Sequence, residues 1–86
     1  MKPFIIYAQT LDSYSVLPRI ALYFSRRRLR IDRLEMHADE DDRAMRFRIE
    51  LRCDGATIER LVKQLRRIVE LEDIVAREKT AVREAA

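Results

Sequence analysis

The sequence has no tryptophan and only one glycine, one cysteine and one histidine among its 86 residues. A single cysteine, Cys53, excludes an internal disulfide and fits a reducing compartment. It also excludes the paired thiols of a metal-carrying domain. A backbone loop that cradles phosphate needs several glycines, whereas Gly55 stands alone. These absences exclude several common kinds of small-domain site.

Long apolar runs are absent too. No stretch approaches the roughly 20 apolar residues of a membrane span, and the N-terminus has no signal-peptide pattern. His37 has no nucleophile or base at a recognisable spacing, and the acidic turn at residues 39–42 does not match a calcium loop. We therefore expect a cytoplasmic protein that binds no metal, has no contact with membranes and has no catalytic residues.

Charge is the abundant feature. Charged residues make up 38% of the chain, above the usual share of about 25%, although the net charge is only +3. Arginines cluster at residues 26–30 and 43–52, which suits an acidic partner, while nearby acidic residues also fit a solvated face of mixed charge. A chain of 86 residues forms one small domain, too small for a deep cleft of its own.

The first half of the chain predicts a strand, a helix and a second strand. Residues 4–9 are apolar and rich in β-branched and aromatic side chains, so we expect a central strand buried on both faces. Leu17, Ile20, Ala21 and Phe24 follow helical spacing, with Ser15 as the expected N-cap. Residues 29–38 predict a strand whose apolar positions change phase, which a bulge at residues 32–33 accommodates.

The second half of the chain again predicts a strand, a helix and a strand. Residues 45–53 alternate strictly between apolar and polar side chains, so we expect a strand with one covered face. Helical spacing runs from Ile58 to Ile68 behind a cap at Asp54 or Thr57, and a last strand is expected at residues 69–76. The order β-α-β-β-α-β predicts an α+β, ferredoxin-like fold: a four-stranded antiparallel sheet with both helices on one face. We expect this domain at residues 1–78 and a polar C-terminal tail at 79–86.

Many functions share this fold, so the side chains must decide between them. An RNA-recognition domain needs exposed aromatic side chains on its central strands. The polar positions of the third strand carry charges instead, and we expect no nucleic-acid partner. They are candidates for docking a protein partner: Arg46, Arg48, Glu50 and Arg52.

The segment at residues 12–34, together with residues 48–51 and 64–74, resembles the ACT domain of the acetolactate synthase small subunit. In that family a short polar loop and a glycine precede an apolar pair, and an Arg, a Phe, an Arg-Gly pair, an amide and an acidic residue before Leu follow. The residues that match this register are Asp12, Leu17, Arg19, Ile20, Phe24, Arg27, Ile31, Asp32 and Leu34. The later pattern at residues 64–71 is also similar.

The resemblance implies a non-catalytic regulatory subunit that forms a homodimer. Such subunits bind and activate the large catalytic subunit of acetolactate synthase, which makes precursors of valine, leucine and isoleucine. By resemblance, the catalytic subunit holds thiamine diphosphate, FAD and Mg, and this chain holds none of them. The length resembles the short small subunit that accompanies isozyme II.

The same resemblance implies where an effector amino acid binds. The corresponding residues here are Asp12, Ser13, Tyr14, Ser15, Val16, Leu17, Arg30 and Ile31. Ser15 stands where the family has the loop glycine, Arg28 replaces the glycine of the Arg-Gly pair, and Arg30 replaces the amide. A side chain at Ser15 restricts close backbone approach, and a guanidinium cannot both donate and accept hydrogen bonds as an amide does. We therefore expect the site to be vestigial and valine inhibition to be weak or absent.

Two alternatives remain open. A free-standing ACT domain would bind a small amino acid at a dimer interface. A nucleic-acid binder would use the basic clusters alone, and its affinity would fall steeply with added salt.

Overall fold

Four strands and two helices follow one another in the order that the sequence predicts. The computed structural model describes residues 1–41 and 43–79. The elements are β1 (Lys2–Thr10), α1 (Ser13–Arg26), β2 (Arg33–Ala38), β3 (Met45–Cys53), α2 (Gly55–Leu65) and β4 (Leu71–Glu78).

The strands form one antiparallel sheet in the order β2-β3-β1-β4. β1 is therefore central, as predicted, and β2 and β4 are the two edges. Both crossover connections place their helix on the same side of the sheet. The α+β, ferredoxin-like architecture predicted from the sequence is confirmed.

The side of the sheet beneath the helices, here called the core face, carries the alternating apolar residues. Phe47 of β3 lies opposite Ala8 of β1, and Ile49 lies opposite Ile6. These four side chains are buried with the inward residues of both helices in one apolar cluster. The period-two pattern of residues 45–53 thus places one apolar set inward, as expected.

The other side of the sheet, here called the open face, carries the charged alternation. It consists of side chains on β1 (Pro3, Ile5, Tyr7, Gln9), β2 (Arg33, Glu35, His37), β3 (Arg46, Arg48, Glu50, Arg52) and β4 (Val75, Arg77), with Lys79 just beyond. Ile5 is only 2% exposed although neither α1 nor α2 covers this face. The prediction that β1 is buried on both faces therefore holds at Ile5, whereas Tyr7 is exposed.

The first helix differs from its prediction in two details. Its buried residues are Val16, Ile20 and Phe24, whereas Ala21 is exposed. Its N-cap is Asp12 and not Ser15: an Asp12 carboxylate oxygen accepts from the backbone N–H of Ser15. Asp12 is the cap because a cap residue precedes the first helical turn, and Ser15 already lies within that turn. In α2 the cap is Asp54, one of the two predicted residues.

The second strand is shorter than predicted. It begins at Arg33, whose ladder partner on β3 is Glu50. The backbone N–H of Asp32 donates to the carbonyl of the same Glu50 at 2.8 Å, so residues 32 and 33 both oppose one residue, as in the predicted bulge. The extra residue changes the phase of the alternation, and Ile31 and Met36 therefore both pack against the core.

The last strand lies two residues later than predicted, at Leu71–Glu78, and its pairing with β1 contains a bulge. Its pairing with β1 shifts register between Tyr7 and Gln9, and Asp73 on the bulged side has a φ of 54°. Beyond the strand, the backbone N–H of Lys79 donates to the carbonyl of Pro3 at 2.8 Å. The rest of the predicted tail, residues 80–86, lies outside the described residues, as does position 42 of the acidic turn.

Candidate functional site

The loop between β1 and α1 is held by one buried hydroxyl. Thr10 is 1% exposed, and its Oγ1 donates to the carbonyl of Glu70 at 2.7 Å while it accepts from the backbone N–H of Asp12 at 3.0 Å. The Asp12 carboxylate in turn caps α1. The loop is therefore fixed at both ends by hydrogen bonds to its own chain.

Arg19 joins the first turn of α1 to Glu70 by hydrogen bonds. Its guanidinium donates to the hydroxyl of Ser15 at 3.0 Å and to a carboxylate oxygen of Glu70 at 2.6 Å. The hydrogen bond from Arg19 holds the pKa of Glu70 below its usual range. The hydroxyl of Ser15, at the position of the family's loop glycine, is thus occupied within the chain.

A shallow cavity of about 210 Å³ opens beside this loop, where Asp12, Ser13 and Tyr14 face the hairpin between β2 and β3. Tyr14 is 95% exposed. Across the cavity lie Ala38 and Arg43. The polar half of the effector site predicted from the sequence therefore surrounds an open surface depression.

The other predicted effector residues lie elsewhere. Val16 is fully buried and Leu17 packs against the core, so these two residues build the framework. Arg30 and Ile31 follow the C-terminal end of α1, which spans 14 residues or about 21 Å from the capped end. One copy of the chain does not bring Arg30 to the loop at Asp12.

The guanidinium of Arg30 also has a hydrogen-bond partner within the chain. Its Nε donates to a carboxylate oxygen of Asp32 at 2.8 Å, and its own side chain is mostly exposed. A ligand carboxylate would compete with Asp32 for this guanidinium. The nearby residue Arg28 has a φ of 54°, the left-handed region that favours glycine. Arg28 thus keeps a glycine-type backbone at the position where the resembled family has glycine.

The docking candidates of β3 divide into two kinds. Arg46 and Arg52 are exposed, whereas Arg48 and Glu50 take part in a buried charge network. Glu50 is 9% exposed and accepts from Arg48 and, at 2.8 Å, from Lys79. Arg48 also donates to Glu35 on β2 at 3.1 Å.

Titration properties follow from this network. The hydrogen bond from Lys79, and after it that from Arg48, hold the pKa of Glu50 below its usual range against the opposing cost of burial. Burial opposes the charge of Arg48, but hydrogen bonds with Tyr7 and Glu50 outweigh it and raise the Arg48 pKa. The sequence could not reveal this network because Lys79 and Glu35 join it only through the register of three strands.

The structure also bears on three other kinds of site: a reactive thiol, a metal site and a membrane span. Burial raises the pKa of the Cys53 thiol, which disfavours the reactive thiolate. Among residues 1–41 and 43–79, no three His, Cys, Asp or Glu side chains come together in a way that could hold a metal ion. No helix in that part of the chain is both long and apolar enough to cross a membrane.

Comparison with known proteins supports the fold. No family model and no curated protein matches the chain. Among solved structures, it is similar to an acetolactate synthase small subunit from Thermotoga maritima, with 22% identity and a TM-score of 0.75 over 88% of this chain and 47% of that one. The chain thus corresponds to less than half of that subunit.

With two further structures, the match extends over nearly the whole length of the other protein. The ACT domain of a GTP pyrophosphokinase from Chlorobium tepidum has 11% identity and a TM-score of 0.71, over 91% of this chain and 88% of that one. An uncharacterised protein from Thermotoga maritima has 13% identity and a TM-score of 0.74, over 92% of this chain and 98% of that one. At these identities the likeness shows the fold, which is that of an ACT domain.

Proposed function

We propose that this chain is a non-catalytic regulatory subunit that binds and activates the catalytic large subunit of an acetolactate synthase in branched-chain amino acid biosynthesis. The observation that carries the proposal is the positive φ of Arg28, because it places a glycine-type turn at the register position where the acetolactate synthase small subunits have glycine. The similarity to the Thermotoga maritima small subunit supports the same assignment. The thiamine diphosphate, FAD and Mg belong to the catalytic partner.

The proposed subunit responds weakly to valine or not at all. Ser15 has a side chain where close backbone approach is needed, and its hydroxyl is bound by Arg19. Arg30 is paired with Asp32 and lacks an acceptor for a ligand ammonium group. Both polar anchors of a bound amino acid are thus replaced or occupied.

Reconstitution tests the proposal. The chain is added to the separately purified large subunit from the same organism, and acetolactate formation is measured with and without valine. We expect a several-fold rise in activity that valine does not reverse. Failure to form a complex in gel filtration, together with unchanged activity, would contradict the proposal.

A double variant tests the valine argument. Ser15→Gly with Arg30→Asn restores the small residue and the amide, so we expect valine to inhibit the activated complex. Arg33→Asn is the control, because it removes a neighbouring arginine outside the predicted site. If the double variant activates normally but stays indifferent to valine, these two residues do not explain the insensitivity.

The docking surface is tested by charge reversal at the two exposed arginines of β3. Arg46→Glu with Arg52→Glu leaves the network of Arg48 and Glu50 intact, so the fold is kept. We expect activation to weaken if this strand faces the catalytic subunit. Arg60→Glu in α2 with Arg67→Glu in the turn after it makes the same change in net charge away from β3 and serves as the control.

A second candidate is a free-standing ACT domain that binds a small amino acid between two copies. The separation of Asp12 from Arg30 by the length of α1 favours it, because only a second copy could bring the two groups together. Isothermal titration with aliphatic amino acids, combined with sedimentation, tests this candidate. It requires heat of binding and a dimer, and the absence of either excludes it.

A further inference from the structure

A second cavity lies between α2 and the edge strand β4, on the side of the helix away from α1. It measures about 300 Å³. Its floor is apolar and its rim is charged. The floor residues are Phe4, Ile58, Val62 and Ala76, and the rim residues are Glu59, Lys63 and Arg66. We call this cavity and the adjoining strand edge the α2–β4 groove.

The backbone along this edge has open hydrogen-bonding groups. The backbone N–H of Lys79 bonds to Pro3 on β1, and successive residues of a strand point their backbone groups in opposite directions. The N–H and C=O groups of Ala76 and Glu78 therefore point away from β1, to the side where no strand of residues 1–41 and 43–79 pairs with β4. At the far end, Arg66 reaches around the edge to the carbonyl of Ile74 at 3.5 Å. The edge can thus accept another strand.

The rim has charges of both signs at a definite separation. Glu59 of α2 and its C-cap residue Arg66 are seven positions apart, which is about 10 Å along the helix axis. Lys63 and Arg66 form no ion pair among the described residues. A free amino acid has both of its charged groups on one carbon and cannot reach both ends. Two side chains four positions apart on an extended peptide are about 13 Å apart, so one basic and one acidic side chain of the same strand can reach both ends.

We propose that the α2–β4 groove binds an extended peptide segment of another protein by strand addition to β4. The segment has an aliphatic side chain over Val62, a basic side chain towards Glu59 and an acidic side chain towards Lys63 and Arg66. Alternate side chains of a strand share one face, so these three residues are spaced two apart. The groove lies apart from the β1–α1 loop, so this inference does not depend on the function proposed above.

The first test uses a labelled probe, the acetylated and amidated peptide TKTVTDT. We expect saturable binding to the full chain in fluorescence anisotropy. In the variant with Lys63→Glu and Arg66→Glu, the affinity should fall about tenfold or more, because the aspartate loses a charge-assisted hydrogen bond. A probe with lysine in place of aspartate should recover binding to this variant.

The matched control is Arg60→Glu with Arg67→Glu, which makes the same charge change in α2 and in the turn after it, at two residues that do not line the groove. We expect it to keep the affinity within about twofold, as for exposed charges at a distance. Equal loss in both double variants would mean general charge attraction and would overturn the proposal. So would probe binding that does not saturate.

Methylation of the probe backbone tests strand addition directly. One probe is methylated at the valine nitrogen and the other at the following threonine nitrogen. Strand addition bonds alternate residues to β4, so one methylation should abolish binding and the other should leave it nearly unchanged. Equal effects would overturn the proposal, and so would sedimentation showing that a second copy of the chain occupies the groove while the probe fails to bind.

Discussion

The core face and the open face of the sheet are buried by different means. On the core face, two helices cover Phe47 and Ile49 with apolar side chains. On the open face, Ile5 is nearly as inaccessible, but the side chains beside it belong to the charge network of Glu50, Arg48 and Lys79. The stems of long charged side chains can thus exclude water from an isolated apolar residue while their charged ends pair with one another.

This difference alters how the arginines of β3 should be interpreted. A strand with four charged side chains on one face suggests a docking surface when only the sequence is known. In the structure, Arg48 and Glu50 pair within the chain, and Arg46 and Arg52 remain exposed. Only half of the suggested surface is available to a partner without disrupting the fold.

The largest expected effect separates the two faces on a single strand. Phe47→Ala removes a buried aromatic side chain from the core face, and we expect the free energy of unfolding to fall by about 3–5 kcal/mol. Arg46→Ala on the open face of the same strand should change it by less than about 0.5 kcal/mol. Urea denaturation measures both. Similar losses in the two variants would mean that the open face is as strongly packed as the core face.

The second prediction tests the charge network. Glu50→Gln leaves Lys79 and Arg48 without their shared carboxylate, so we expect a loss of roughly 1–3 kcal/mol at neutral pH. Arg52→Gln, on the same strand face, is the control and should change stability little. If Glu50→Gln is as stable as the unaltered protein, the network does not contribute to the cover of the open face.

The pH dependence of stability gives the same network a distinct signature. The folded pKa of Glu50 lies below its unfolded value of about 4.3, so its contribution is complete above that pH and disappears as the pH falls through the lower folded value. The unaltered protein should lose stability over this acidic range. Glu50→Gln should show a shallower decline, and parallel curves for the two proteins would contradict the assignment.

The smallest effect concerns the connection between α1 and β2. Arg28 is held at a φ of 54°, which costs a non-glycine residue about 1 kcal/mol or slightly more. Arg28→Gly should therefore stabilise the protein by about 0.5 kcal/mol after the greater entropy of unfolded glycine is subtracted. Arg26→Gly, at the last residue of α1, should instead destabilise the protein by up to about 1 kcal/mol. Thermal unfolding checks that the two changes have opposite signs.

The sequence predicted best where a single repeat decides the structure. The alternation at residues 45–53 placed Phe47 inward and the arginines outward because a strand has only two faces. It predicted less well where two arrangements satisfy the same pattern. Asp12 and Ser15 are both residue types that cap helices, and the hydrogen bond that selects Asp12 depends on where the helix starts.

The candidate site was less predictable for a different reason. A loop follows β1 as the sequence predicts, but the hydrogen-bond partners of its side chains are distant in sequence. Glu70 receives hydrogen bonds from both Thr10 and Arg19, more than fifty residues away. Such pairs depend on the crossing of elements and leave no local pattern. The α2–β4 groove likewise arises from helix and strand positions that no periodicity connects.

The strand order determines when the protein can finish folding during its synthesis. β1 is synthesised before the other strands of the sheet, yet Phe4 pairs with Leu51 on one side and with Glu78 on the other. The central strand therefore has one bare edge until residues 71–78 have emerged from the ribosome. Closing such long loops is slow compared with forming local helical contacts, so the sheet is completed only after β4 has emerged.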